Sequence, residues 1–439
     1  MKKLSMFIIR IGLILLILLS VYLSAAIWLS SSQKEKETTK NEQQLLSSFN
    51  ERTHTETFLP LQLVKIENKE AKIAKNVNLI THVQNEIKKG KFSKLTQIVN
   101  GNSEQFKKYL SIDQGIELCY EGPFSLTEYI SIYGLNMANN AILNQKDAYF
   151  TRIQLDFNEN KIRFFDFNTK QIYQATFTID KERLMNNLNK EGILYQEAVD
   201  KSLLINNQFF IKKELKMKKY SYILGSQPVA RFQTAFFNNP KEIHTNGNSK
   251  DASYVSNDES LFFNEELGTI LFHGKSPIKE DGTYNIYSES FAYIKGLGTS
   301  MGNLRYFDNQ QSTINYRTFI EGFPVFSKDN KGQVNMTIHD EPNENQLNTM
   351  INTSIDTIQI PIPSEEEEVL KNMYHLFDEL LKAGAKKEKI GSMIVGYTWQ
   401  NIEETKQVVD LTPEWYICYN KSWYSEQELI RQLPELEVK

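Results

Sequence analysis

The sequence predicts an α+β protein: a single N-terminal transmembrane helix followed by an extracytoplasmic multidomain region of antiparallel sheets with packed helices. Three observations predict it. An apolar run extends from Ile11 to Leu29, β-rich runs separated by Asn, Asp and Gly turns recur after Phe150, and several helical stripes carry their own caps.

The apolar run organises the rest. At about 1.5 Å per residue it reaches ~28 Å, close to the ~30 Å hydrocarbon core of a bilayer. It contains no Asp, Glu, Lys or Arg, and its hydroxyls, Ser20, Tyr22 and Ser24, can bond back to the helix or sit near an interface. A cleaved secretory signal is the competing reading, because Lys2 and Lys3 make a basic start and Ser24-Ala25-Ala26 offers small residues for a peptidase. A signal's apolar core usually spans about 7–15 residues, and this one is longer, which favours an anchor. Basic residues flank both ends: Lys2, Lys3 and Arg10 before, Lys34, Lys36 and Lys40 after. The charge rule therefore decides little. Residues 1–10 are too short to fold and no second apolar run returns the chain. We expect a cytoplasmic head at 1–10, an anchor at 11–29 in the cell membrane, and the bulk of the chain outside.

Composition bounds the remainder. Over the whole sequence 40% of residues are hydrophobic and 24% charged, enough apolar surface for packed cores. A formal net charge of -4 gives no basic excess to hold phosphate backbones, so nucleic acid is not an expected partner. Cys119 and Cys418, the two cysteines, lie far apart, which excludes a disulfide-stapled scaffold and argues against a thiolate metal cluster.

In chain order, residues 30–55 are rich in Ser, Gln, Lys, Glu, Thr and Asn and form a tether. An N-terminal α+β domain is expected at 56–146. There Leu61 to Ile66 alternates as a strand, Leu79, Ile80, Val83 and Ile87 share a helical face, and Phe106, Tyr109 and Leu110 follow Ser103 in a short helix. Ile116 to Tyr120 reads as a strand ended by Gly122-Pro123, after which Ser125 caps a helix carrying Tyr129 and Ile130. A central α+β domain is expected at 147–297. It opens with a meander at 150–157, 162–167 and 171–177, turned by Asn158-Glu159-Asn160 and Asn168-Thr169-Lys170. Helices at 181–188 and 229–237, a hairpin turned at 265–268, and a helix at 288–295 ending at Gly296 complete it. The lysine-rich stretch 212–219 is expected as a half-buried edge strand with a charged outer face rather than a headgroup contact.

A C-terminal α+β domain is expected at 298–439. Ile314, Tyr316, Thr318 and Ile320 lie on one face of a strand, with Asn315, Arg317 and Phe319 on the other. Val334, Met336 and Ile338 alternate in another. Ser364 with Glu367 forms a capping box, opening a helix whose stripe is Val369, Met373, Leu376, Phe377 and Leu380 and whose end is Gly384. Strands at 392–399, 407–411 and 415–419 lie beneath it.

Three segments carry a resemblance. Thr313-Ile314-Asn315-Tyr316-Arg317-Thr318-Phe319-Ile320-Glu321-Gly322-Phe323-Pro324-Val325-Phe326, then Ile394-Val395-Gly396-Tyr397, then Leu411-Thr412-Pro413-Glu414-Trp415-Tyr416 with Trp423-Tyr424, are similar in order and spacing to the YycH (WalH) family. That resemblance implies a single-span accessory protein of a low-GC Gram-positive bacterium, without enzymatic activity. With a second single-span protein, YycI, such a protein binds the WalK sensor histidine kinase and sets its output, largely through transmembrane helices.

No catalytic, cofactor-binding or metal site is expected. A literal G-x-S-x-G surrounds Ser300, but a nucleophile elbow needs a strand before the serine and a helix after it, and here the order is reversed. His339 and His375 are read as surface or structural residues, and His339-Asp340-Glu341 as a solvated turn. The six histidines are scattered without H-E-x-x-H spacing. In the anchor, Gly12, Ser20 and Ser24 line part of one face, the small-residue strip along which another membrane helix packs. The leading expectation is thus a non-enzymatic regulator whose membrane face contacts partners. Alternatives from other classes are an anchored cell-wall hydrolase acting through Ser300 and an anchored module that binds an envelope ligand.

Overall fold

The meander read from residues 150–177 is the middle of the first sheet. Tyr149–Asp156, Lys161–Asp166 and Gln171–Thr178 pair antiparallel, with Asn160 and Lys170 taking the left-handed turn positions, both at φ 55°. In this computed structural model, residues 51–437 are described apart from 138–141, 143–147, 249–250, 279–283, 342–345 and 403–404. The expected anchor at 11–29, with Gly12, Ser20 and Ser24, lies outside the described residues. Among those described, no helix is long and apolar enough to cross a membrane.

Ten strands form the first sheet. From the meander it extends through Gln114–Ser125, Gln62–Glu67, Glu70–Ala74 and Gln196–Asp200 to Phe209–Ile211. The expected division at 146/147 passes through it, since Gln114–Ser125 pairs with Tyr149–Asp156. The second sheet has fourteen strands. Its centre is Gln333–Glu341, Thr313–Ile320, Phe323–Phe326, Ile390–Ile402 and Thr405–Tyr419. Phe323–Phe326 lies parallel to Ile390–Ile402. The other paired strands run antiparallel, and the class is the α+β expected.

The chain divides into two units, Met1–Glu51 and Arg52–Lys439, and the second holds both large sheets and a two-stranded one. An aromatic knot shows why the three folded spans cohere. Phe58 stacks on Phe124 at 5.2 Å, Phe124 meets Tyr287 edge-on at 4.9 Å, and Tyr306 touches both Phe58 and Tyr316. Each ring is buried, and such pairs add about 0.5–1.5 kcal/mol beyond the area they bury.

Four local expectations need correction. The strand expected to end at Gly122-Pro123 runs on as Gln114–Ser125, with a register break between Cys119 and Phe124. Gly122 serves close approach instead: a Cβ there would lie 2.5 Å from the Cα of Asp308 on the neighbouring strand. Ser364 does not cap a helix. Glu367–Leu370 is a strand paired with Leu215–Lys218, because the acidic run meets lysines across it, Lys219 to Glu368 at 3.0 Å and Lys218 to Glu365 at 3.8 Å. The helix is Met373–Lys382, and Asn372 caps it by accepting from the backbone N–H groups of Tyr374 and His375 at 3.1 and 3.0 Å. Its buried stripe, Met373, Leu376, Phe377 and Leu380, is the one expected, whereas Val369 is exposed. Residues 407–411 and 415–419 belong to one strand, Thr405–Tyr419, which runs straight through Pro413. Finally, the helix Ile286–Leu297 continues past Gly296, which lets it lie against Ala235.

Candidate functional site

Ser300 sits in the single turn Thr299–Met301, after the helix Ile286–Leu297 and before the strand Leu304–Gln310. Its hydroxyl donates to the carbonyl of Leu297 at 3.4 Å. That order is the reverse of a nucleophile elbow. His339 and His375 are exposed. Among the described residues, no group of three or more His, Cys, Asp or Glu is placed to hold a metal ion.

What the fold builds instead is a cleft of about 1310 Å³ where the end of the first sheet meets the second. Glu121 comes from Gln114–Ser125, Asp308 from Leu304–Gln310, Arg317 from Thr313–Ile320, Phe326 from the following strand, Tyr416 from Thr405–Tyr419 and Trp423 from the last hairpin. A break in register between Tyr306 and Asp308 accompanies the arrival of Asp308 in the cleft. There its carboxylate accepts from Trp423 Nε1 at 3.0 Å and from Asn315 Nδ2 at 2.5 Å.

One wall is a stack. The Arg317 guanidinium lies 4.0 Å from the Phe326 ring centre, and Tyr416 lies flat on Phe326, centroids 3.7 Å apart and planes at 9°. Arg317 Nη1 donates to the carbonyl of Val325 at 3.1 Å. Burial pulls its guanidinium down to about 10, against the pull of Asp308 and Tyr416. The Tyr416 hydroxyl shares a 2.7 Å hydrogen bond with Thr398, which also donates to Glu414. Arg317 Nε is buried inside this wall without a protein partner, and the Asn309 side chain turns to the opposite face, where its Nδ2 donates to the Tyr287 hydroxyl at 3.2 Å.

Glu121 lines this cleft and also a small cavity of about 50 Å³ beside it, shared with Lys75, Gln208 and Ser392. Burial pushes the Glu121 carboxyl up to about 7; Asp308 adds to the rise, and a hydrogen bond with Ser392 and the charge of Lys75 oppose it. Burial likewise lowers Lys75 to about 8, with Glu121 opposing. The Lys75 ammonium lies 4.9 Å from the Phe323 ring centre.

The sequence alone did not point to this cleft. Asn315 and Arg317 lie on the strand face opposite the Ile314 and Tyr316 core face, and that face turns out to be a cleft wall. The available signal was a cation held in mid-strand two residues from an amide, on a face that would otherwise be solvent. The arrangement offers donors and acceptors for binding, with Trp423 half-buried beside them.

The family described as YycH protein, C-terminal domain, matches residues 205–432, just over half of the chain. Among solved structures, the crystal structure of YycH from Bacillus subtilis is similar at 14% identity, with a TM-score of 0.66 over 86% of this chain and 97% of that one. No curated protein matches.

Proposed function

This chain belongs to the YycH family, and on that premise we propose that it is a membrane-anchored, non-enzymatic regulator of the WalK sensor histidine kinase, acting together with YycI. The family match over residues 205–432 carries this reading. Residues 11–29 hold the chain in the bilayer, with the N-terminus cytoplasmic and the folded part extracytoplasmic. Regulation of this kind requires that the chain bind the two signalling states of the kinase unequally, since equal affinity shifts nothing. Gly12, Ser20 and Ser24 form the face through which the anchor meets its partner helices. The Ser300 hydroxyl, spent on the carbonyl of Leu297, supports the regulatory reading over hydrolysis.

Replacing Ser20 and Ser24 by Leu tests the membrane face. Interhelical hydroxyl bonds average about 0.6 kcal/mol each, so losing two weakens association by about 1 kcal/mol, roughly a fivefold change. Co-purification with WalK from membranes should fall accordingly, and output of the kinase should change, at unaltered membrane level of the variant. Unchanged co-purification and unchanged output would remove the helix contact.

A further inference from the structure

We propose that the cleft between the two sheets binds a neutral, hydroxyl-rich ligand: an oligosaccharide longer than a single ring. This goes beyond regulation of a kinase and rests on the cleft alone.

Size is the first argument. At about 1310 Å³ the cleft exceeds the roughly 300–1,000 Å³ typical of pockets for drug-sized molecules, so it suits an extended ligand. Charge is the second. Four carboxylates of the lining face three basic side chains, and neither sign dominates as it would for a polyanion or polycation. Hydrogen-bonding type is the third. Asn315, Asn335, Gln400 and Asn401 all line the cleft, and each amide both donates and accepts, as a sugar hydroxyl does.

The fourth argument is aromatic: Trp423, half-buried in the lining, supplies flat apolar surface for the C–H face of a sugar ring. A peptide fits less well. Peptides commonly add to a free strand edge, and the strands that carry Arg317 and Tyr416 are paired on both sides.

The test uses the full chain in lipid nanodiscs, free of sugar-headed detergent, titrated with chitohexaose, maltohexaose and penta-alanine by calorimetry and tryptophan fluorescence. Saturable binding of at least one hexasaccharide is expected. It should weaken at least tenfold in the Asn335→Ala, Gln400→Ala double variant, which changes one half-buried and one exposed side chain and should keep the parent melting temperature. Failure of both sugars to bind, binding unchanged in the double variant, or binding of penta-alanine in their place would each overturn the proposal. None of these outcomes depends on contact with the kinase.

Discussion

Glu121 is a carboxyl whose surroundings work against its charge. A carboxyl that remains protonated up to about 7 in the folded chain, when it would ionise near 4.5 unfolded, favours folding while the proton is held. That contribution is complete below about 4.5 and disappears as pH rises through about 7. The groups that face it are Lys75, Asp308 and Ser392, and burial, Glu121 and Asp308 together raise Cys418 to about 12. Lys75 carries the opposite sign: lowered to about 8, it lets stability rise with pH between about 8 and 10.5. Glu121→Gln should therefore remove the decline between pH 4.5 and 7. Measured by urea unfolding, the variant should gain on the parent by at most about 3 kcal/mol across that window. A constant difference between the two chains from pH 4.5 to 7 would show that Glu121 is ionised and solvated in the native state. A different logic governs Arg152. It is fully buried, yet Glu117 at 3.0 Å and Asp200 at 2.8 Å hold its charge in place. Burial works against that charge, and the two carboxylates still keep the guanidinium above its ordinary value.

Among the elements, the helix Met373–Lys382 separates two kinds of sequence signal. Its apolar stripe is periodic, and periodicity survives into the structure. Its start was misread, because Ser364 and Glu367 satisfy a local capping rule while Glu365 and Glu368 satisfy a nonlocal one, pairing with lysines about 150 residues earlier. Asn372→Ala should cost about 0.5–2 kcal/mol through lost capping, whereas Ser364→Ala, which removes one exposed turn bond to Glu366, should change stability by less than about 0.5 kcal/mol. Equal losses from the two substitutions, compared by denaturant midpoint, would restore Ser364 as the cap. The same contrast explains what else was legible. Lys181–Leu188 and the hairpins at Asn160 and Lys170 depend on residues within one turn of each other, and all are found where the sequence places them. Gly122 reads locally as a breaker because its partner, the Asp308 backbone, is distant in sequence. The cleft was invisible for that reason too: Glu121, Arg317 and Trp423 meet only after both sheets have formed.

At the scale of the whole molecule, the start of the folded unit is fastened to its C-terminal half by two buried arginines. Arg52 donates from Nε to the carbonyl of Gly298 at 3.1 Å, from Nη1 to that of Leu304 at 3.0 Å and from Nη2 to that of Gly302 at 2.6 Å. Arg305 reaches the opposite way, its Nη2 donating to the carbonyls of Leu59 and Pro60, both at 2.8 Å. Burial lowers both guanidinium groups to about 10, so each is partly desolvated to make these bonds. The glycine-rich segment 298–302 is thereby held at its carbonyls as well as by the buried Met301 side chain. Gly298 and Gly302 adopt positive φ, 69° and 73°, which turns their carbonyls toward a single cation with no Cβ to strain. Arg52→Gln leaves at most two donors for three carbonyls. The cost of the unmade bonds is about 3 kcal/mol, and for a unit of this size that lowers the melting temperature by roughly 4 °C. Hydrogen exchange should quicken at the amides of Gly302 and Leu304, whose own bonds lie within this segment, while the meander Tyr149–Thr178 keeps its protection. Loss of protection in both places would mean global destabilisation, and no change in either would mean that the Arg305 bonds and the aromatic knot around Phe58 join the start of the unit to the rest without Arg52.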